Sequence, residues 1–311
     1  MVSPDNFQLP EQLSTGAAEV DDLYMFVYWF SVIFTAVIVA VMLYCIVKFR
    51  RRPGVKAEPV GHNLVLELVW TFGPVIFIAI LFHLGFKVYV HNAVAAENAM
   101  EIRVRGRQWL WEFEYPNGTR ENNELTIPLN QPVKFILSSD DVIHSFYVPG
   151  ARWKRDAVPG MYTNISFTPT KLGNMQVFCA EYCGTSHSGM LAMIHVVTPE
   201  DFQKHLDSAD KAPEGKKPEE WGAELYKKNA CNTCHSIDGS KMPGPTWKGL
   251  WGKTESLADG STVVVDENYV KESILKPQAK IAAGFTTAQM PPFTLKDAQI
   301  DAIIAYMKTL K

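Results

Sequence analysis

The stretch that says most about the fold is residues 179–190, CAEYCGTSHSGM. It places Cys179, Cys183, His187 and Met190 in one short loop, and His144 lies upstream in the sequence Ile-His-Ser-Phe. Thiolate, imidazole and thioether groups form a soft donor set that favours copper over magnesium or calcium. Because the loop carries a second cysteine, its donors suffice for two copper ions bridged by both sulfurs.

Two other interpretations of these residues are open. Neighbouring cysteines in an oxidising compartment commonly form a disulfide, and a Cys179–Cys183 pair fits that pattern. Zinc uses the same cysteine and histidine ligands, although a zinc site would leave Met190 without a role. Copper is favoured because His187 and Met190 follow the cysteines in register.

The chain around this loop, residues 91–200, has the pattern of a small β domain. Residues 102–105 and 133–137 are typical of short strands, and Pro, Gly and Asn separate such runs. Residues 112–115 alternate between polar and apolar, and Asn117-Gly118 directly after them is a strong hairpin signal. We therefore expect a small antiparallel β-sandwich or barrel.

The segment before it, residues 24–90, is predicted to be a transmembrane helical hairpin. Residues 24–47 and 68–86 contain no Asp, Glu, Lys or Arg, and a bilayer-spanning helix needs about 20 predominantly apolar residues. We place the spans at about 24–47 and 68–90. A buried hairpin in a soluble protein is the alternative, and a cleaved signal peptide fits poorly because no basic region precedes the first span.

The loop charges predict how this hairpin is oriented. Residues 1–23 contain acids but no Lys or Arg, whereas the connection between the spans holds Lys48, Arg50, Arg51, Arg52 and Lys56. Positively charged loops stay in the cytoplasm. Residues 1–23 and everything after about residue 90 are therefore expected on the periplasmic or outer side, which is an oxidising compartment.

A second motif, Cys231-Asn-Thr-Cys234-His235, follows a charged linker at residues 201–220. Cys-x-x-Cys-His is the attachment signature of c-type haem, in which two thiols bind the haem and the histidine reaches the iron. A zinc ribbon would need more ligands, and residues 221–311 contain no further Cys or His. A thioredoxin-like redox pair would need a βαβ context, which the sequence lacks.

A sixth iron ligand is expected on the opposite haem face, and methionine is a common one. Met242 is too close to His235, and Met307 lies in an amphipathic C-terminal helix where packing explains it. Met290, in an irregular segment before two prolines, is our choice.

Composition limits the class of protein. The chain has 311 residues, a net charge of -3 and 47% hydrophobic residues. The charge argues against nucleic-acid binding, and the apolar content argues against a disordered chain. Only five cysteines are present, too few for a disulfide scaffold.

Residues 20–200 resemble subunit II of haem–copper cytochrome c oxidases, through the hairpin, the β domain and the motif in residues 179–190. The resemblance implies a cupredoxin fold with a dinuclear CuA centre. It implies that Cys179 and Cys183 bridge the coppers, that His144 and His187 each bind one, and that Met190 and the Glu181 carbonyl are weak ligands. The family's magnesium ligand, shared with subunit I, falls on the Glu181 side chain.

Two further residues match this family less specifically. Trp109, in Gln-Trp-Leu-Trp, resembles the tryptophan through which electrons enter from cytochrome c, whereas the other aromatic residues of that stretch are typical of core packing. Glu67 resembles the carboxylate at the mouth of the K proton channel, and an ordinary anchor at the membrane interface is the alternative.

Residues 221–311 resemble a class I cytochrome c, an all-α domain, in which Pro245 accepts a hydrogen bond from the axial His235. Together the resemblances point to the fused subunit II of caa-type oxidases, located in the bacterial inner membrane with subunits I and III. They imply that electrons pass from a c-type cytochrome or a quinol–cytochrome c reductase through haem c and CuA to subunit I, coupled to proton translocation. Two alternatives are a free-standing membrane-anchored electron carrier and a copper-delivery or thiol-redox assembly protein.

Overall fold

The computed structural model describes residues 2–3, 6–56, 61–208, 211–213, 215–286 and 290–311. They form, in chain order, a helical hairpin, a β-sandwich and a small helical domain, which confirms the predicted fold class. A short ribbon precedes the hairpin, with β1 at Val2–Ser3 and β2 at Asn6–Pro10.

The hairpin consists of α1 (Ala17–Lys48) and α2 (Leu64–Ala93), each extending past its charge-free stretch. Both are long and apolar enough to cross a membrane, with mean hydropathies of 2.7 and 2.3. Their apolar side chains are largely exposed, and the helices meet where the rings of Phe30 and Phe77 stack 3.5 Å apart. Apolar surface on this scale is unfavourable in water, so the hairpin fits a lipid environment.

Two five-stranded sheets form the sandwich, in the orders β10-β7-β3-β4-β5 and β6-β12-β11-β8-β9. The strands are β3 (Met100–Arg107), β4 (Leu110–Glu114), β5 (Arg120–Asn122), β6 (Glu124–Pro128), β7 (Val133–Ser139), β8 (His144–Val148), β9 (Trp153–Ala157), β10 (Thr163–Phe167), β11 (Gly173–Cys179) and β12 (Leu191–Val197). Most pairs are antiparallel as predicted, but β3 with β7 and β6 with β12 run parallel. Such pairs require the chain to cross over rather than turn back in a hairpin.

The predicted turn and the predicted core are both present. Gly118 lies between β4 and β5 at a φ of 86°, a conformation that favours glycine, and its amide donates to the Tyr115 carbonyl. Trp111, Phe113 and Tyr115 are buried in the sandwich core, as expected for the aromatic stretch.

After the sandwich the chain forms α3 (Pro199–Ser208), which occupies part of the expected linker. The helix packs Phe202 into the sandwich core, because its one apolar face can be buried there. The remaining elements are α4 (Pro218–Lys228), β13 (Thr254–Ser256), β14 (Thr262–Val264), α5 (Glu267–Leu275) and α6 (Asp297–Thr309). The short ribbon of β13 and β14 is an addition to the expected all-α domain.

The helical domain is organised by the crossing of α4 and α6. A Cβ added at Gly222 would lie 2.0 Å from the Ala302 carbonyl oxygen, so only glycine permits this approach. Trp221, Leu225, Ile300 and Ile303 are buried at and around the crossing. The crossing of α4 and α6 supports the loop that carries residues 231–235.

Candidate metal and haem sites

The sulfur and nitrogen donors of residues 144 and 179–190 meet at one end of the sandwich. His144 begins β8, Cys179 ends β11, and these neighbouring strands pair through Cys179 and Phe146. The loop after β11 returns to the same place, because the Cys179 amide donates to the Met190 carbonyl at 3.2 Å. Strand pairing therefore brings the distant histidine to the loop.

The ligand atoms lie close enough to share metal ions. Those of His144, Cys179 and Cys183 are all within 4.8 Å of one another. The two sulfurs are 3.8 Å apart, and Cys183 Sγ lies 3.5 Å from His187 Nδ1 and 3.7 Å from Met190 Sδ. Both cysteines are free thiols in the structure.

The backbone carbonyl of Glu181 also lies beside the cysteine pair. Its carbonyl oxygen lies 3.3 Å from Cys179 Sγ. The residue is exposed, which leaves the carboxylate available to another subunit.

The neighbours of the cluster hold the ligands in one orientation. His144 Nε2 is 2.8 Å from a carboxylate oxygen of Asp141, which leaves Nδ1 facing Cys179. Gln108 Nε2 donates to the Cys183 carbonyl at 2.7 Å, and Trp109 Nε1 donates to the same oxygen at 3.3 Å. A metal-ligating histidine commonly has such a carboxylate on its other nitrogen.

Burial and proximity make the two thiols unequal. Burial alone would raise the pKa of Cys179, but its hydrogen bonds with His144 and with backbone groups lower it overall. Burial and the neighbouring Cys179 charge raise the pKa of Cys183. Two adjacent thiolates are therefore unfavourable without a cation between them. This donor set, in a water-poor pocket, fits copper.

The second site surrounds residues 231–235. A single 3-10 turn, Cys231–Thr233, carries the first thiol and is directly followed by Cys234 and His235. Cys231, Cys234 and His235 are all partly buried. His235 Nδ1 is 2.7 Å from the Pro245 carbonyl oxygen, so Nε2 is left free to bind a metal. Burial lowers the pKa of His235 and so keeps the ring neutral, as an iron ligand must be.

Close packing fixes that ring. A Cβ added at Gly244 would lie 2.8 Å from His235 Cε1, so a larger residue there would displace the imidazole. Burial raises the pKa of both cysteines, that of Cys231 to about 12. The neutral thiols and oriented imidazole fit covalent attachment of a haem.

The methionines considered as sixth ligand occupy different positions. Met290 is half-buried against the same apolar cluster as Cys231, directly after residues 287–289, which lie outside the described part of the chain. Met307 is buried in α6, where it packs in the domain core, as expected.

Trp109 and Glu67 lie far apart in the fold. Trp109 is partly buried beside the copper-type cluster, whereas Glu67 lies in the first turn of α2, 3.2 Å from His62.

Asp141 and Gln108 were not predicted from the sequence as site residues. Asp141 lies three residues before His144 in the sequence, and this spacing could have predicted that its carboxylate supports the histidine.

Known families match all three parts of the chain. "Cytochrome C oxidase subunit II, transmembrane domain" matches residues 3–88, "Cytochrome C oxidase subunit II, periplasmic domain" matches residues 119–197, and "Cytochrome c" matches residues 220–311.

Two individual relatives agree with these matches, and a solved structure is also similar. Cytochrome c oxidase subunit 2 of Alkalihalophilus pseudofirmus is 29% identical over 289 residues, covering 88% of this chain and 82% of the relative. The alternative cytochrome c oxidase subunit 2 of Bradyrhizobium diazoefficiens is 31% identical over 227 residues, covering 63% and 82%. A crystal structure of the periplasmic domain of Bradyrhizobium japonicum cytochrome oxidase subunit II is 27% identical, with a TM-score of 0.36, and covers 37% of this chain and 96% of that one.

These findings assign the hairpin to a membrane anchor and the two following domains to electron transfer in an oxidase. Membership of this family implies a CuA copper centre and association with the oxidase complex, and the cytochrome c domain implies haem c. The chain therefore belongs to the cytochrome c oxidase subunit II family and carries a C-terminal cytochrome c domain.

Proposed function

We propose that this chain is the electron-input subunit of a proton-pumping terminal oxidase. Its haem domain takes electrons from an external c-type cytochrome or a quinol–cytochrome c reductase, and its copper domain delivers them to subunit I, where oxygen is reduced. The observation that carries this proposal is the clustering of His144, Cys179 and Cys183 within 4.8 Å, in the same chain as a Cys-x-x-Cys-His turn.

Each residue of the copper site has a proposed role. Cys179 and Cys183 would be the shared ligands of a copper pair, His144 and His187 would each hold one ion, and Met190 and the Glu181 carbonyl would be weak ligands. The bound copper pair would accept and release one electron at a time. Asp141 orients His144, and the burial of His144 and Met190 keeps water from the ligands.

The haem site is assigned in the same way. Cys231 and Cys234 would attach a haem, His235 and Met290 would be its iron ligands, and Pro245 holds the His235 ring by accepting its Nδ1 hydrogen bond. Methionine opposite histidine raises the potential of a haem, which suits a domain placed between a cytochrome and an oxidase.

Trp109 is the proposed point where electrons enter the copper domain. Its indole Nε1 donates a hydrogen bond to the backbone carbonyl of Cys183. The ring is therefore connected to a proposed copper ligand through one hydrogen bond and the backbone of that same residue.

The proposal extends to the membrane and to subunit I. The acidic residues 1–23 and the basic connection between the helices support an inner-membrane protein with both termini outside. We propose the exposed Glu181 carboxylate as a magnesium ligand shared with subunit I, and Glu67 as the carboxylate at a proton-channel mouth. Subunit III is the further expected partner.

The test is metal analysis of the purified full-length chain. We expect two copper atoms per haem iron and a near-infrared band from the copper pair. Cys183→Ser should lose that band and keep the haem, whereas Cys45→Ser, at an exposed cysteine of α1, should retain both. One copper per iron in the unmodified chain would contradict the dinuclear site.

A second measurement separates the subunit from the free-standing carrier. The chain, purified through a tag from its native membrane, should bring with it a large membrane subunit bearing haem. Recovery of the fully loaded chain alone would favour the carrier.

A further inference from the structure

The haem domain, residues 218–311, rests on one edge of the sandwich. Strands β5 and β6 are each one edge strand of a different sheet, and they lie close together beside this domain. Asn122 Nδ2 donates to Asn229 Oδ1 at 2.7 Å, and Asn123 Nδ2 donates to the Lys228 carbonyl at 3.1 Å. Asn122 and Asn229 are both buried, so the contact excludes water.

A second contact lies where β3 ends and β4 begins. Arg107 Nη1 donates to the Pro292 carbonyl oxygen at 2.8 Å, two residues after Met290. Leu110 is 2% exposed, and its side chain belongs to the apolar cluster of the haem domain, with Trp221 and Phe293. The copper domain thus contributes a residue to the haem domain's core. That residue directly follows Trp109.

Glu121, on β5, connects three separate parts of the chain. Its carboxylate accepts hydrogen bonds from Tyr115 in the sandwich, His205 on α3 and Lys228 at the end of α4, at 2.9, 3.0 and 3.0 Å. The Glu121 side chain is only 6% exposed. A carboxylate buried this deeply is strongly unfavourable unless it is paired.

The charges around Glu121 are consistent with a permanently ionised carboxylate. Burial alone would raise the pKa of Glu121, but His205 and Lys228 lower it to about 2. Lys228 also contacts Glu124 at 3.2 Å, and its pKa is raised by these carboxylates despite burial. Two of the three donors come from outside the sandwich, which a role in sandwich packing alone would not require.

We propose that Glu121 and Lys228 form a docking contact that positions the haem domain against Leu110 of the copper domain, the residue that follows Trp109. This inference rests on the proposed function, since it concerns how the two redox domains of one chain meet. One electron passes from the haem domain to the copper domain, and no bond or proton has to change. Glu121 and Lys228 are positioning residues, because they act through the placement of the domain.

The experiment uses the full-length chain loaded with copper and haem. The haem is reduced by a light-triggered reductant, and absorbance follows the electron from the haem to the copper band. Lys228→Met should slow this first-order step by about tenfold, because small displacements of reacting groups are costly. Lys228→Arg keeps the charge and should restore most of the rate. Lys271→Met removes a lysine that pairs with Asp297 within the haem domain and should leave the rate unchanged.

Hydrogen–deuterium exchange gives an independent readout. In Lys228→Met the backbone amides of residues 120–124, which include β5, should exchange faster, because the haem domain no longer covers them. Lys228 is chosen over Glu121 since its side chain is 28% exposed and its loss is less disruptive to the fold. Glu121→Gln, where it folds, should give the same two effects.

The electron-transfer rate and the hydrogen exchange of Lys228→Met each test the docking contact. An unchanged rate in Lys228→Met overturns it, whether or not exchange rises, because the contact would then not position the redox groups. Unchanged exchange overturns the docking site itself. If the unmodified chain binds no copper or haem, the proposed function fails, and the exchange experiment still decides whether the contact holds the two domains together.

Discussion

At the scale of single residues, the copper site depends on side chains that are not themselves ligands. Asp141 accepts from His144 Nε2 and also from the amides of Gln108 and Val142. The carboxylate is thus held by the backbone and in turn holds the imidazole, so the Nδ1 lone pair points at the thiol pair before any metal arrives.

Replacement of this carboxylate should weaken copper retention. We expect Asp141→Asn to lower copper affinity by about 10- to 100-fold, the effect usual for a lost partner of a ligating histidine. Competition with a copper chelator, followed through the near-infrared band, measures the effect. Asp207→Asn, at an exposed position of α3, should match the unmodified chain. Equal copper retention in Asp141→Asn would show that the hydrogen bond has no part in the site.

Glu121 makes stability depend on pH in a defined direction. Its pKa in the fold is about 2, against an ordinary value of 4.5, because His205 and Lys228 outweigh the effect of burial. Between these values the unfolded chain binds more protons than the folded one, so the stabilisation is complete above about pH 4.5 and is lost as the pH falls towards 2.

Thermal melts of the full chain in detergent test this sign. Glu121→Gln should have a lower Tm than the unmodified chain at pH 6, and the gap should narrow at pH 3. Glu101→Gln, which removes an exposed carboxylate paired with Lys134, should show a small gap at both pH values. A Glu121→Gln gap that stays constant with pH would contradict the assigned ionisation.

At the scale of elements, the start of α1 is tied to the copper domain. Arg152 donates from Nε and Nη2 to the two carboxylate oxygens of Asp21 at 2.7 and 2.9 Å. Their side chains are 6% and 4% exposed, respectively. Because one residue lies in the first turns of the membrane helix and the other between β8 and β9, this pair sets the position of the sandwich on its anchor.

Breaking that pair should be costly. Arg152→Met leaves the buried Asp21 carboxylate without its charge partner, although Gln12 still donates to it, and such losses destabilise by about 3–5 kcal/mol. The expected result is a lower temperature for loss of the copper absorbance in the full chain. Arg155→Met, at a partly exposed arginine of β9 whose side chain donates to the Asn164 carbonyl, is the matched control. Equal transition temperatures for the two variants would contradict the structural role of the pair.

The elements also show what the sequence could predict. The candidate donor groups of residues 179–190 and the turn at Gly118 depend on contacts between near neighbours, so local spacing is enough to predict that they lie together. The α3 helix was missed because its composition is that of a linker, and its position depends on tertiary contacts, namely the burial of Phe202 against the sandwich and the hydrogen bond between His205 and Glu121. The contacts of Asn122 with Asn229, and of Arg107 with Pro292, join residues more than one hundred positions apart, and no local pattern signals them.

At the scale of the whole molecule, the tether and the docking contact make separate contributions to electron transfer. The chain between α3 and α4 keeps the haem domain near the copper domain at an effective concentration on the order of millimolar. The contacts at Glu121 and Leu110 then select one orientation. If these contacts hold most molecules in the docked state, the length of the tether should hardly affect the rate.

Insertion of a Gly-Ser segment after Ala212 separates the two contributions. In the otherwise unmodified chain we expect the haem-to-copper step to slow by less than about twofold, because docking and not encounter determines the population. In Lys228→Met the same insertion should slow it further, since effective concentration falls roughly as the −3/2 power of tether length. Flash reduction of all four chains at one salt concentration gives the comparison. Equal slowing by the insertion with and without Lys228 would mean that the tether alone brings the domains together.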